Sequence, residues 1–131
     1  MALFFTQVSI AQTEWSKIFE KDGVTISSKE MVCKVEIGHT QLRYLIMVEN
    51  TTSQTKTIEW DLELKDQNGV CFTCNGSKEH HKIVKIAPGE ILDGSISKQQ
   101  DLYVVMKFLD IKVARELSEV KLENFKVTDF N

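Results

Sequence analysis

Between residues 57 and 64 the chain reads Thr57-Ile58-Glu59-Trp60-Asp61-Leu62-Glu63-Leu64, with the apolar residues at even positions and the polar or charged ones at odd positions. Side chains of a strand alternate between its faces, so this segment is predicted as a half-buried strand, one face in the core and one in water. Asn68-Gly69 follows and suits the two positive φ angles of a type I′ turn, which predicts that 70–74 runs back antiparallel. Upstream, Met31, Cys33, Val35 and Ile37 alternate in one strand, and Leu42, Tyr44, Ile46 and Val48 in the next. Asn50-Thr51-Thr52-Ser53 then makes a turn from residues whose side chains bond their own backbone.

Downstream, Ile83-Val84-Lys85-Ile86 is a short strand, ended where Pro88 fixes φ and Gly89 allows a reversal. Leu102-Tyr103-Val104-Val105-Met106-Lys107-Phe108 is apolar on both faces and is predicted as a central, doubly covered strand. In the last strand Val120 and Leu122 are even while Phe125 and Val127 are odd, so the period shifts at Glu123-Asn124 and a bulge is expected there. Helical spacing is confined to Glu14-Trp15-Ser16-Lys17-Ile18-Phe19 and to 111–117. The fold class that follows is all-β, a single immunoglobulin-like antiparallel β-sandwich of about seven to nine strands with a short N-terminal helical or extended segment.

A chain of 131 residues with 42% hydrophobic content supports one domain with a real core. Its formal charge of -3 is spread through the sequence without a basic stripe, which argues against nucleic acid as a partner. Residues 1–11 are apolar and end Ser9-Ile10-Ala11, the small-x-small pattern of a signal-peptidase site, although no Lys or Arg precedes the run. The organisation expected is therefore a signal-peptide-like segment over 1–11 and one sandwich domain over 12–131, exported to the periplasm, the cell surface or the medium. No segment approaches the ~20 apolar residues of a membrane-spanning helix.

Two stretches carry a resemblance. Val48-Glu49-Asn50-Thr51-Thr52, then Ile58-Glu59-Trp60-Asp61-Leu62, then Ile86-Ala87-Pro88-Gly89-Glu90, resembles the layout of small bacterial immunoglobulin-like domains. From Trp15 to Val127, with Asp22-Gly23-Val24 and Cys71-Phe72-Thr73-Cys74, the chain looks like small exported bacterial proteins of unknown function with such a sandwich. The resemblance implies architecture and export and brings no catalytic residues.

The versatile side chains are Cys71, Cys74, His80, His81 and Cys33. In a regular strand, residues i and i+3 face opposite ways about 10 Å apart, whereas a disulfide needs Cα atoms about 4.4–6.8 Å apart. Cys71 and Cys74 can therefore bond only if the chain leaves the extended form before Asn75-Gly76. Three outcomes stay open: a Cys71–Cys74 disulfide in an oxidising compartment, a metal site of Cys71 and Cys74 with His80 and His81 or with Cys33, or cysteines that simply pack while the histidines decorate a polar turn. Cys33 is in phase with Met31, Val35 and Ile37 and is expected in the core; His39, after Gly38, is expected in solvent.

Glu59, Asp61 and Glu63 form the wet face of their strand, where acidic residues serve solubility. There is no Asp-x-Asp-x-Asp-Gly calcium loop, no Gly-x-Ser-x-Gly elbow and no glycine-rich phosphate loop, so neither a cofactor nor catalysis is expected. Asn50-Thr51-Thr52 and Asn75-Gly76-Ser77 match the N-glycosylation triplet. The expected function is a non-catalytic exported binding module for a protein or carbohydrate ligand. The rival is a small metal-binding or thiol-redox protein built on Cys71 and Cys74. An apolar face at Tyr103, Val105 and Leu109, if left uncovered by Trp15, Ile18 and Phe19, would favour a homodimer or a membrane-associated partner.

Overall fold

Alternation governs the observed strands as it governs the sequence. The structure is a computed structural model and describes residues 14–34, 38–71, 73–74, 80–94, 102–112 and 116–130. Among the described residues eight strands follow in order: β1 Ser16–Lys21, β2 Val24–Lys34, β3 Thr40–Asn50, β4 Lys56–Asp66, β5 His81–Ile86, β6 Ile91–Asp93, β7 Tyr103–Phe108 and β8 Leu117–Asp129. They form two antiparallel sheets, one of five strands in which β3 pairs with β2, β6 and β7, and one of three strands in the order β5-β4-β8. The core lies between them, with Val24, Ile26, Ile46 and Val48 from the first sheet against Ile58, Trp60, Leu62 and Leu122 from the second. This is the all-β sandwich that the period of two predicts.

Strand β4 obeys the pattern most strictly, since every even residue from Lys56 to Asp66 is buried and every odd one is half-exposed. In β8 the expected bulge is present. Pairing with β4 slips between Glu59 and Asp61, and Asn124 takes a φ of 57°. Phe125 and Val127 thereby turn inward, as Val120 does before the slip.

Several expectations are corrected. Residues 16–21, read partly as helical, are the edge strand β1, joined to β2 by Asp22-Gly23 with φ of 52° and 80°. That pair forms a type I′ turn. The loop at Asn68-Gly69 is a different one, because only Gly69 has positive φ. Asp66 organises it, its carboxylate accepting from the backbone N–H of Asn68 (2.9 Å) and Val70 (3.0 Å) while its carbonyl accepts from Gly69 (3.0 Å). The result is a three-residue loop with a glycine bulge.

Pairing of β2 with β3 is unbroken from Val24 to Lys34, and the core residues Val24 and Ile26 set its phase. Met31 and Cys33 therefore face away from the core, Met31 being 39% exposed and Cys33 half-buried. Val35 and Ile37 lie outside the described residues. Strand β7 pairs with β3 alone among the described strands, so it flanks the sheet instead of lying at its centre. Of 111–117, residues 111 and 112 are not helical, 113–115 lie outside the described residues and Leu117 opens β8.

One end of the sandwich is organised by Asn50, which is 1% exposed. Its Nδ2 donates to the carbonyls of Gln54 (2.8 Å), Ile86 (3.2 Å) and Ala87 (3.1 Å), and its Oδ1 accepts from Thr52 N (2.9 Å) and Thr52 Oγ1 (2.7 Å). Its backbone N–H donates to Glu90 O and its carbonyl accepts from Gly89 N, so the 50–54 turn and the Pro88-Gly89 reversal are held as one unit. The Asp22-Gly23 turn docks on the same unit, with Gly23 O accepting from Thr51 N at 2.9 Å. A Cβ on Gly23 would collide with Thr52 Cγ2. An amide this engaged is closed to glycosylation in the folded chain, and the second triplet, at Asn75, lies outside the described residues.

Candidate functional site

The odd residues of β4 project from the outer face of the three-stranded sheet, where Asp61 lies opposite His81 of β5 and Glu123 of β8. The bulge in β8 places Glu123 and Asn124 together beside β4. Asn124 Nδ2 donates to Asp61 Oδ2 (2.9 Å). His81 is clamped on both nitrogens, Nδ1 against Asp61 Oδ1 (2.6 Å) and Nε2 against Glu59 Oε1 (2.9 Å).

These contacts shift the titration of the groups that make them. The hydrogen bond to Asp61, then that to Glu59, raises the His81 pKa above 6.5, because each bond favours the imidazolium. His81, then Asn124, lowers Asp61. Glu63 and Glu123 face each other, and two carboxylates can share a hydrogen bond only if one keeps a proton. The pair accordingly holds Glu63 below the usual carboxylate range and Glu123 above it. Glu123 Oε1 is sealed from water with no donor among the described residues.

A testable pH dependence follows for His81. A group whose folded pKa is raised contributes stability that is full below its unfolded value and is lost as pH rises through the folded one. Wild-type stability should therefore fall as pH rises from about 6.5 through the His81 folded pKa. The His81→Gln variant should lack that loss, and ring titration by NMR should place the wild-type His81 above 6.5. A titration at or below 6.5 would contradict the clamp.

The cysteines complete the site. Beyond the bridge between Lys65 and Cys71, Thr73 lies in a bend and Cys74 in a turn. Thr73 Oγ1 accepts the backbone N–H of Leu64 (3.0 Å). The departure from extended geometry brings Cys71 and Cys74 to disulfide-bonding distance, with Cα atoms 5.7 Å apart. Their sulfurs and the Glu63 carboxylate lie within 4.8 Å of one another.

An open cleft of about 750 Å³ runs beside this cluster. Its walls include Asp61, Glu63 and Glu123, the tip of the turn at Thr73 and Cys74, both His80 and His81, and the apolar Leu62 and Ile83. No Lys or Arg is among the described residues lining it.

The sequence-predicted site residues are thus partly reunited. Cys71 and Cys74 come together and His80 and His81 share their cleft, but among the described residues the carboxylate of Glu63, and neither histidine, joins the sulfurs. His81 points its nitrogens at Asp61 and Glu59 instead. Cys33, on β2 in the other sheet, is not a member of the cluster. Glu63, Glu123 and Asn124 were not legible as site residues; the period shift at Glu123-Asn124 was the one signal pointing there.

The apolar face expected at Tyr103, Val105 and Leu109 is interrupted. Arg43 lies over the Tyr103 ring at 4.1 Å, Val105 is half-buried, and Leu109 lies beyond the end of β7 at 47% exposure. Ile18 and Phe19 belong to β1, on the far side of β2 and β3 from β7, and Phe19 stacks on Phe125 at 4.3 Å. No helix among the described residues is long and apolar enough to cross a membrane.

Comparison with known proteins adds little to this geometry. No family model matches the chain, and no curated protein matches it. Among solved structures, a DUF1425 family member from Shewanella sp. PV-4 is similar at 11% identity, with 96% of each chain covered and a TM-score of 0.40.

Proposed function

We propose that the chain is an exported, non-catalytic β-sandwich module that binds a partner protein through the cleft on the three-stranded sheet, taking a cationic side chain of that partner. The observation that carries this reading is the cleft lining, with the carboxylates of Asp61, Glu63 and Glu123 converging beside exposed Ile83 and without a lysine or arginine among the described wall residues. A few convergent polar groups on an apolar wall are what recognition pockets supply. A basic side chain can place its charge among the carboxylates and its stem along Ile83. Absence of catalysis is supported by His81, whose two nitrogens are both engaged by carboxylates. Export is supported by the spacing of Cys71 and Cys74, which suits a disulfide in an oxidising compartment. The immunoglobulin-like reading is supported by connectivity: β2, β3 and β7 share one sheet and β5, β4 and β8 the other, as strands A, B, E and C′, C, F do in that fold, with β6 a departure from it.

Calorimetric titration of an arginine-containing peptide tests the reading. Binding is expected to weaken as salt rises and to drop at least about tenfold in the Asp61→Asn/Glu123→Gln double variant, the loss of about 1.4 kcal/mol that one charge-assisted bond represents. Equal affinity for an acidic peptide, or binding only to a neutral oligosaccharide, would sink it.

A further inference from the structure

A second chemistry is present at the turn end of the cleft, and it does not rest on the cationic-ligand reading. Cys74 is exposed, Cys71 and Glu63 are half-buried, and the three ligand atoms converge within 4.8 Å. Such a cluster serves either thiol exchange or metal binding, and the surrounding charges separate the two. Thiols that exchange quickly have cationic neighbours to support the thiolate. Here carboxylates dominate, with Glu63 in the cluster and Asp61 and Glu123 further along the cleft, and the adjacent cation, Lys65, is paired with Glu63 at 3.5 Å. That surrounding opposes a bare thiolate and favours a cation that would neutralise it.

We propose that, once the Cys71–Cys74 pair is reduced, its two thiolates and the Glu63 carboxylate form a three-ligand site for a thiophilic divalent cation such as Zn²⁺, with the open fourth position towards the cleft. Three protein ligands and one exchangeable position is an established zinc arrangement, and borderline-soft Zn²⁺ accepts both sulfur and carboxylate oxygen. The redox step balances with a dithiol as reductant. It supplies two electrons and two protons, the bond between Cys71 and Cys74 breaks to give two thiols, and the dithiol closes to its own disulfide. Zn²⁺ then replaces the two thiol protons, which leave to solvent. Lys65 Nζ, 3.5 Å from Glu63 Oε1, is the cation that the metal displaces from the carboxylate. Oxidation and metal loading are mutually exclusive, so the site is occupied only while the pair is reduced.

The test uses the full chain, with Zn²⁺ as the probe and a chromogenic chelator as competitor. Dithiol-reduced protein, freed of reductant without air, is expected to take up one Zn²⁺ per chain, and the oxidised protein none. Cys71→Ser and Cys74→Ser should abolish uptake. Glu63→Gln should weaken it more than about tenfold, since loss of even an outer-shell partner costs 10- to 100-fold. Cys33→Ser, which leaves the cluster intact, should bind as the wild type does. Co²⁺ loading of the reduced wild type adds a readout free of substitutions, because two thiolate ligands give sulfur-to-cobalt charge-transfer absorption. Reduced wild type without stoichiometric zinc, full affinity in Glu63→Gln, or loss of zinc in Cys33→Ser would each overturn the proposal.

Discussion

Asn50→Ala is expected to destabilise the fold by about 3–5 kcal/mol, as the sum of five lost hydrogen bonds at ~1 kcal/mol each, sharpened where a buried partner is left unsatisfied. Asn50 is nearly inaccessible, and its amide is the common partner of Gln54, Ile86, Ala87 and Thr52. Removing it takes a donor from the carbonyls of two turns that meet at one end of the sandwich, where Ala87 O is left with Glu90 N and Gln54 O with Thr52 Oγ1 among the described residues. Since natural domains hold only ~5–15 kcal/mol in total, the loss is a large share of it. Asn50→Asp should be no better, because it keeps the acceptor for Thr52 but sets a carboxylate against three carbonyl oxygens. Urea unfolding of the three proteins measures this. A change below about 1 kcal/mol in Asn50→Ala, the value of a single net hydrogen bond, would show that the turns stand without it.

Trp60→Ala should cost a similar about 3–5 kcal/mol by a different route, the cavity left when the largest buried side chain is removed. Trp60 is 0% exposed and sits mid-strand on the inner face of β4. Its indole Nε1 has no hydrogen-bond partner among the described residues, so only packing is at stake. This makes a second variant informative. Trp60→Phe keeps most of the apolar volume and removes a donor that has no partner among the described residues, so it should cost less than about 1.5 kcal/mol. Near-equal losses in Trp60→Phe and Trp60→Ala, read from denaturation midpoints, would mean that the N–H has a partner after all.

Much of this architecture was legible in the sequence because burial on one face writes itself into the chain at period two. The alternation over 57–64 located β4, and the phase change at Glu123-Asn124 located the bulge in β8. Errors arose where a pattern was real but its phase or partner was set elsewhere. Met31 and Cys33 do alternate, yet Val24 and Ile26 decide which face of β2 meets the core. Strand β7 is apolar on both sides although only β3 pairs with it. The Asp22-Gly23 turn escaped notice because the segment before it carried brief helical spacing, which pairing with β2 overrode.

The site was less legible than the fold. Strand geometry fixed the condition under which Cys71 and Cys74 could meet, and the bend at Thr73 satisfies it. What one strand could not reveal was the cross-strand register that sets Asp61 beside both His81 and Glu123. Read alone, Glu59, Asp61 and Glu63 are a wet face; with β5 and β8 beside them, Asp61 and Glu63 become the floor of a cleft and Glu59 part of the clamp on His81.

The most direct test of the cleft as a binding site is residue-resolved NMR of the labelled protein during titration with an arginine-containing peptide. The account predicts saturable amide shifts confined to Asp61, Glu63, Thr73, Cys74, His81, Ile83, Glu123 and Asn124, which vanish in the Asp61→Asn/Glu123→Gln variant. Shifts that instead centre on β7 and the outer face of the five-stranded sheet, with the cleft residues unmoved, would contradict it.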